Sequence, residues 1–285
     1  MAIKDTLLAL TSFPDPTPDH AIAEAVGIAQ RLGAKIAGVA FVLNRSRIPH
    51  LHPFGEWLVN SESIVDGAIR KSEDAAAGLL NRFENKARAA GVFASAVGDG
   101  APVFPIPSQV TERARTRDLT FLPVPEQIGM DEIYTEAVVF ESGRPVVLLP
   151  ARAGYAPMAS AGDTVVVAWD YSRAAARSLS DALPILEQAR RVIVLTVTNE
   201  KELKAESGTA DLERHLKTHG INAGFKQVDA KGRPIGAVLT DFVAAEKADM
   251  LVMGAFGHAR LVEFVLGGAT RSILSRPPVP VFLSY

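Results

Sequence analysis

The chain contains no cysteine. That absence removes disulfide scaffolds, thiolate metal sites and thiol nucleophiles together, and it suits a reducing compartment. An excess of positive charge is missing too: 30 lysines and arginines stand against 32 aspartates and glutamates, a net charge of −2. Such a balance offers no electrostatic hold on a polyphosphate backbone, so no nucleic-acid partner is expected. No apolar run approaches the ~20 residues that cross a bilayer. The opening Met1-Ala2-Ile3-Lys4-Asp5 does not lead into the apolar stretch of a signal peptide. The expectation is a cytoplasmic protein without a membrane partner.

What is present is an ordinary globular balance, 48% hydrophobic and 22% charged, enough for a sizeable core. At ~100–200 residues per domain, the length favours two domains, with one large α/β domain as the alternative. Short β-branched runs alternate with longer helical patterns. Residues 6–10, 36–42, 119–124 and 146–149 read as strands in the first half, and 164–169, 192–197, 250–253 and 279–283 in the second. Most are continuously apolar, as strands covered on both faces of a parallel sheet must be. Pro280 removes a backbone donor, which predicts an edge position or irregular pairing for the last strand. Amphipathic helices fill the gaps, at 21–32 (ending on Gly33), 173–188 and 234–247. The pattern is that of an α/β protein with right-handed crossovers.

The halves repeat one another. Lys4-Asp5-Thr6-Leu7-Leu8-Ala9-Leu10 is answered by Gly162-Asp163-Thr164-Val165-Val166-Val167-Ala168, and Arg144-Pro145-Val146-Val147-Leu148-Leu149 by Pro278-Val279-Pro280-Val281-Phe282-Leu283. Between them lies a small, Gly- and Pro-containing, aperiodic junction, which marks a linker. The predicted organisation is a first domain over 1–153, a linker over 154–162 and a second domain over 163–285. The first domain carries an insertion at about 44–66, with Phe54, Trp57 and Leu58, that is too long for a plain connection.

The informative segment is Gly254-Ala255-Phe256-Gly257, followed after nine residues by Gly267-Gly268-Ala269-Thr270. It leaves the strand 250–253 and enters a helix expected from Thr270. Glycines at a strand's end let a ligand approach the backbone, and a helix start offers unpaired N–H groups to phosphate. A glycine pair alone would do no more than turn a strand into a helix; here the spacing adds specificity.

That segment resembles the G-x2-G-x9-G-(S/T) nucleotide loop of universal stress proteins. Ala168-Trp169-Asp170-Tyr171-Ser172 is similar to the family's A-x-D-x-S turn, and the strand ending at Val197 is similar to its second strand. The resemblance covers 163–285. It implies two tandem doubly wound, Rossmann-like domains of strand order 3-2-1-4-5, related by a pseudo-twofold and packed through their last strands. It also implies a stress-response or regulatory protein that binds ATP or ADP, with Mg as a companion of the phosphates. The implied nucleotide-binding residues are Ala168, Asp170, Val197, Gly254, Gly257, Gly267, Gly268, Ala269 and Thr270, with Arg260 and Arg271 as further phosphate contacts. Asp170 and Val197 would face the adenosine. Gly268 stands where the family has a Ser or Thr, so one hydroxyl donor is missing, a loss of ~0.5–1.5 kcal/mol.

The first half keeps the strand pattern without the site. Ala9-Leu10-Thr11-Ser12-Phe13-Pro14 lacks the aspartate, and Pro123-Val124-Pro125-Glu126 replaces the glycines with two prolines and a negative charge. This half is expected to serve structure or contact with an unidentified protein partner. A homo-oligomer or an intramolecular pseudo-dimer is the expected assembly. No catalytic residue and no intrinsic metal are predicted. His50 and His52 have no acidic residue nearby before Glu56, and His215 and His219 have no third ligand in sequence. Neither a nucleophile with its base nor a pyrophosphatase-like loop is present, which leaves at most slow, incidental ATP hydrolysis. The alternative function is a nucleotide-free dimerisation or protein-interaction scaffold of the same fold.

Overall fold

The computed structural model describes residues 2–12, 15–43, 59–101, 106–125, 130–157, 162–199, 209–255 and 268–285. The first half runs β1 (Asp5–Thr11), α1 (Asp19–Leu32), β2 (Lys35–Leu43), α2 (Val59–Ala89), β3 (Phe93–Ala101), α3 (Ile106–Ala114), β4 (Leu119–Val124), α4 (Met130–Glu141) and β5 (Val146–Pro150). The second runs β6 (Thr164–Ala168), α5 (Arg173–Leu186), β7 (Arg191–Thr198), α6 (Ala210–Thr218), β8 (Ala223–Asp229), α7 (Ile235–Ala245), β9 (Met250–Gly254), α8 (Gly268–Ser275) and β10 (Val281–Ser284).

The continuously apolar runs become the central strands. β4 and β5 are buried at every position, and the middle of β6 (Val165, Val166, Val167) is fully covered. Helices lie on both faces. Leu179, Ala182 and Leu183 of α5 and Leu212 and Leu216 of α6 join the core that α1 and α2 cover. Leu239 and Val243 of α7 and Ile273 and Leu274 of α8 join the opposite core, with α3 and α4. Gly33 stops α1 as the sequence suggests: its φ of 60° is left-handed, and its N–H returns to the carbonyls of Ala29 and Gln30.

The strands form one sheet of order β3-β2-β1-β4-β5-β10-β9-β6-β7-β8. Each half has the expected 3-2-1-4-5 order. The expected packing through the last strands is a hydrogen-bonded seam, so the two five-stranded sheets are one. At the seam β5 and β10 pair antiparallel, Val146 with Leu283, Val147 with Phe282 and Leu148 with Val281. All other pairs are parallel.

The seam overturns the expectation for Pro280. β10 is an interior strand, paired with both β5 and β9. Pro280 precedes its first residue, so no ladder donor is lost, and its carbonyl accepts from the Leu251 N–H at 3.0 Å. The insertion is also shorter than expected, because 59–66 are the opening turns of the 31-residue α2. Phe54, Trp57 and Leu58 lie outside the described residues. Among the described residues, no helix is long and apolar enough to cross a membrane.

Candidate functional site

β6 and β9 are neighbours, paired from Val165–Met250 to Val167–Val252. The chain leaves β6 into α5 on one face and leaves β9 towards α8 on the other. Their carboxyl ends therefore flank a topological switch point, the crevice where open α/β sheets hold ligands. Ala168 ends β6 beside Leu195, Val197 lies near the end of the adjacent β7, and Gly254 ends β9. The structure brings these three, with Asp170, to one edge of the sheet.

After Ala168 the chain turns tightly. The Trp169 N–H donates to the Leu195 carbonyl at 2.8 Å, so the turn begins as a continuation of the sheet ladder. Tyr171 takes a left-handed φ of 60°. Asp170 Oδ1 accepts from the Ser172 N–H at 3.0 Å, and Ser172 Oγ accepts from the Ala175 N–H at 3.1 Å. Ser172 is thus the N-cap of α5, and Asp170 holds the turn that presents it. The Trp169 ring packs against the core under α5 and meets Tyr171 edge-on, with centroids 5.8 Å apart. Trp169 is a packing residue.

Gly254 has a local structural reason. A Cβ there would meet the backbone of Ala174 and Ala175 at 2.5–2.7 Å, so only glycine lets the end of β9 lie against the first turn of α5. Beyond it the Ala255 N–H donates to the Ser284 carbonyl at 3.0 Å. The Ser284 hydroxyl donates to Asp181 Oδ2 at 2.6 Å, and Arg177 pairs with the same carboxylate at 2.8 Å. The last strand is thereby tied to α5 beside the crevice. The i,i+4 spacing of Arg177 and Asp181 is the sequence signal of this pair.

α8 begins at Gly268, two residues earlier than expected, so Gly268, Ala269 and Thr270 form its first turn. Gly257, Arg260 and Gly267 lie outside the described residues. Arg271 lies in α8, and its side chain falls outside what is described.

The first half closes the corresponding position. With Thr6 laid on Thr164, Ser12 falls at the place of Asp170. Ser12 is buried; its hydroxyl donates to the Phe41 carbonyl and bonds Ser72 Oγ of α2 at 2.7 Å. α2 seats closely here, with the Phe83 ring against Gly38 of β2. A neutral serine bonded on both sides replaces the carboxylate.

Of the histidines weighed as ligands, His50 and His52 lie outside the described residues. His215 of α6 and His219 at its C-terminus meet edge-on, and His219 Nδ1 sits 3.3 Å from Glu187 Oε1. Among the described residues, no three His, Cys, Asp or Glu side chains cluster so as to hold a metal.

Fold and crevice together define a doubly wound α/β protein with a tandem repeat. Residues 162–284 match the universal stress protein family model, and the chain shares its fold with solved universal stress proteins over nearly its whole length. A universal stress protein from Archaeoglobus fulgidus superposes with a TM-score of 0.72 at 19% identity, over 98% of this chain and 95% of that one. A Pseudomonas aeruginosa protein described as a universal stress protein gives a TM-score of 0.59 at 14% identity, over 99% and 93%. A Pseudomonas aeruginosa protein of unknown function gives 0.57 at 13% identity, over 99% and 92%. No curated protein matches the sequence.

Proposed function

We propose that the C-terminal half binds an adenine nucleotide, ATP or ADP, and that occupancy alters a surface read by a protein partner. The observation that carries this reading is the placement of Asp170 and Gly254 on adjacent strand ends at the switch point, with the glycine segment leading from Gly254 into α8. In this reading the base lies near Asp170 and Val197. The phosphates lie over Gly254, Gly257, Gly267 and the first turn of α8, whose unpaired N–H groups favour anions. Ala168 lines the floor, Ala269 and Thr270 add backbone donors, and Arg260 and Arg271 add charge. Mg accompanies the phosphates, and no step of catalysis is assigned. Residues 1–153 and 163–285 are the two domains, 154–162 the linker, and the β5–β10 seam the pseudo-dimer contact.

A supporting role for the first half follows from the Ser12–Ser72 closure, which leaves no carboxylate at the equivalent position. If that role extended to the whole chain, the protein would be a nucleotide-free scaffold. Titration calorimetry with ATP separates the two. Under the nucleotide reading wild type binds, Asp170→Ala weakens binding, and Gly268→Ser tightens it by up to about tenfold through the added hydroxyl donor. Absence of heat with millimolar ATP in both wild type and Gly268→Ser would leave the scaffold.

A further inference from the structure

The 151–157 segment, which leaves β5 on the way to β6, lies against α1, and its contact there is unusual. Glu24 of α1 is only 6% exposed, among Ala21, Ile22, Ala25 and Ile28. Its Oε1 accepts from the Tyr155 hydroxyl at 3.3 Å, while its Oε2 is buried with no hydrogen-bond partner. Among the described residues no cation is paired with it. Arg152, on the same segment, donates to the Pro277 carbonyl at 2.6 Å and lies over the Tyr155 ring, 5.1 Å from its centroid. Arg31, further along α1, is held by Asp163 at 2.6 Å. His20, one turn before Glu24, bonds the Pro150 carbonyl at 3.1 Å and sets its ring 5.7 Å from that of Tyr155. Asp249 at the start of β9 adds negative potential at Tyr155.

We propose that Glu24 and Tyr155 form a pH-operated clasp that holds the 151–157 segment on α1 when Glu24 is protonated and releases it when Glu24 ionises. A neutral carboxyl group tolerates this pocket, whereas a carboxylate there has, among the described residues, one donor and no counter-charge. Burial pushes Glu24 up to about 7, against the opposing pull of the Tyr155 hydrogen bond. Burial also raises the Tyr155 hydroxyl, with the Glu24 charge adding to it, so the phenol stays a donor throughout. The cost of the buried charge falls on the contact least able to resist. Besides the Glu24 bond, Tyr155 is held by ring contacts with His20 and Arg152 and by its own N–H to the Arg152 carbonyl at 3.3 Å. Swinging out this residue admits water to the carboxylate without disturbing the sheet.

Hydrogen exchange at the Tyr155 amide, corrected for intrinsic rate, tests the clasp in the full chain between about pH 6 and about pH 8. Wild-type protection should fall by up to about tenfold across that range, following Glu24 ionisation. Glu24→Gln, which carries no charge at any pH, should show no fall. His20→Gln should retain it, which separates the imidazole from the carboxyl. A carbon-detected titration of the Glu24 carboxyl needs no variant and should centre near 7. Unchanged protection in wild type, an equal fall in Glu24→Gln, or a Glu24 titration near the ordinary 4.5 would each overturn the proposal.

Discussion

A Cβ on Gly254 would lie 2.5 Å from the carbonyl carbon of Ala174, closer than any neighbouring backbone permits. The glycine at the end of β9 is therefore also the residue that seats α5 on the sheet. Gly254→Ala should destabilise the protein by about 1–3 kcal/mol, the usual cost of forcing extra volume into a packed contact. Urea unfolding without nucleotide measures it. An unperturbed midpoint would mean that the α5 terminus shifts freely.

Ser172→Ala removes the hydroxyl that caps α5 at the Ala175 N–H. The expected loss is about 1 kcal/mol, and Ser172→Gly should cost only a few tenths because glycine is itself an acceptable cap. Comparing the thermal midpoints of the two variants distinguishes a cap from a packing contact, for which glycine would be no better than alanine.

Phe282 is fully buried in β10, paired with Val147 on one side and Val252 on the other. Phe282→Ala should cost about 3–5 kcal/mol. Its core holds residues from both halves, such as Leu149 and Val165. Calorimetry should therefore show the whole chain melting earlier, and an unchanged transition for either half would refute the shared core.

Glu24 also predicts how stability responds to pH. A carboxyl whose folded pKa is raised, from 4.5 to about 7, binds more protons folded than unfolded between those values. Its contribution is therefore greatest below 4.5, declines as pH rises through that window, and stays low above about 7. At about 1.4 kcal/mol per pKa unit the decline is at most about 3 kcal/mol. Burial raises Asp249 as well, which adds in the same direction. Chemical unfolding across this range should give a shallower slope for Glu24→Gln than for wild type, and equal slopes would exclude Glu24 as the source.

The central strands were legible because burial on both faces leaves a continuous apolar run, as in residues 164–168 and 250–253. β8 was not, because as an edge strand it exposes much of its length: Phe225 and Val228 are only partly covered, and Lys226 and Gln227 face water. β3, the other edge, reads Phe-Ala-Ser-Ala-Val-Gly-Asp-Gly-Ala, too small and polar to announce a strand. Pro280 misled because its cost depends on register, which a single sequence does not reveal; one position earlier than the ladder, it costs nothing. Asp170 and Gly254, which the structure brings to one edge of the sheet, were singled out by the spacing within two separate motifs. The Glu24–Tyr155 contact was not, since 131 positions separate two residues that no motif links.

Because β5 and β10 run antiparallel while every other pair is parallel, the strands of the two halves point in opposite directions. The strand ends beside Asp170 and the closed position at Ser12 therefore lie at opposite edges of the sheet. A small ligand at one end and a macromolecule docked at the other would not compete for space. Any influence between them would have to pass through the contacts that join the halves, such as the β5–β10 seam and the Arg31–Asp163 ion pair, rather than by direct collision.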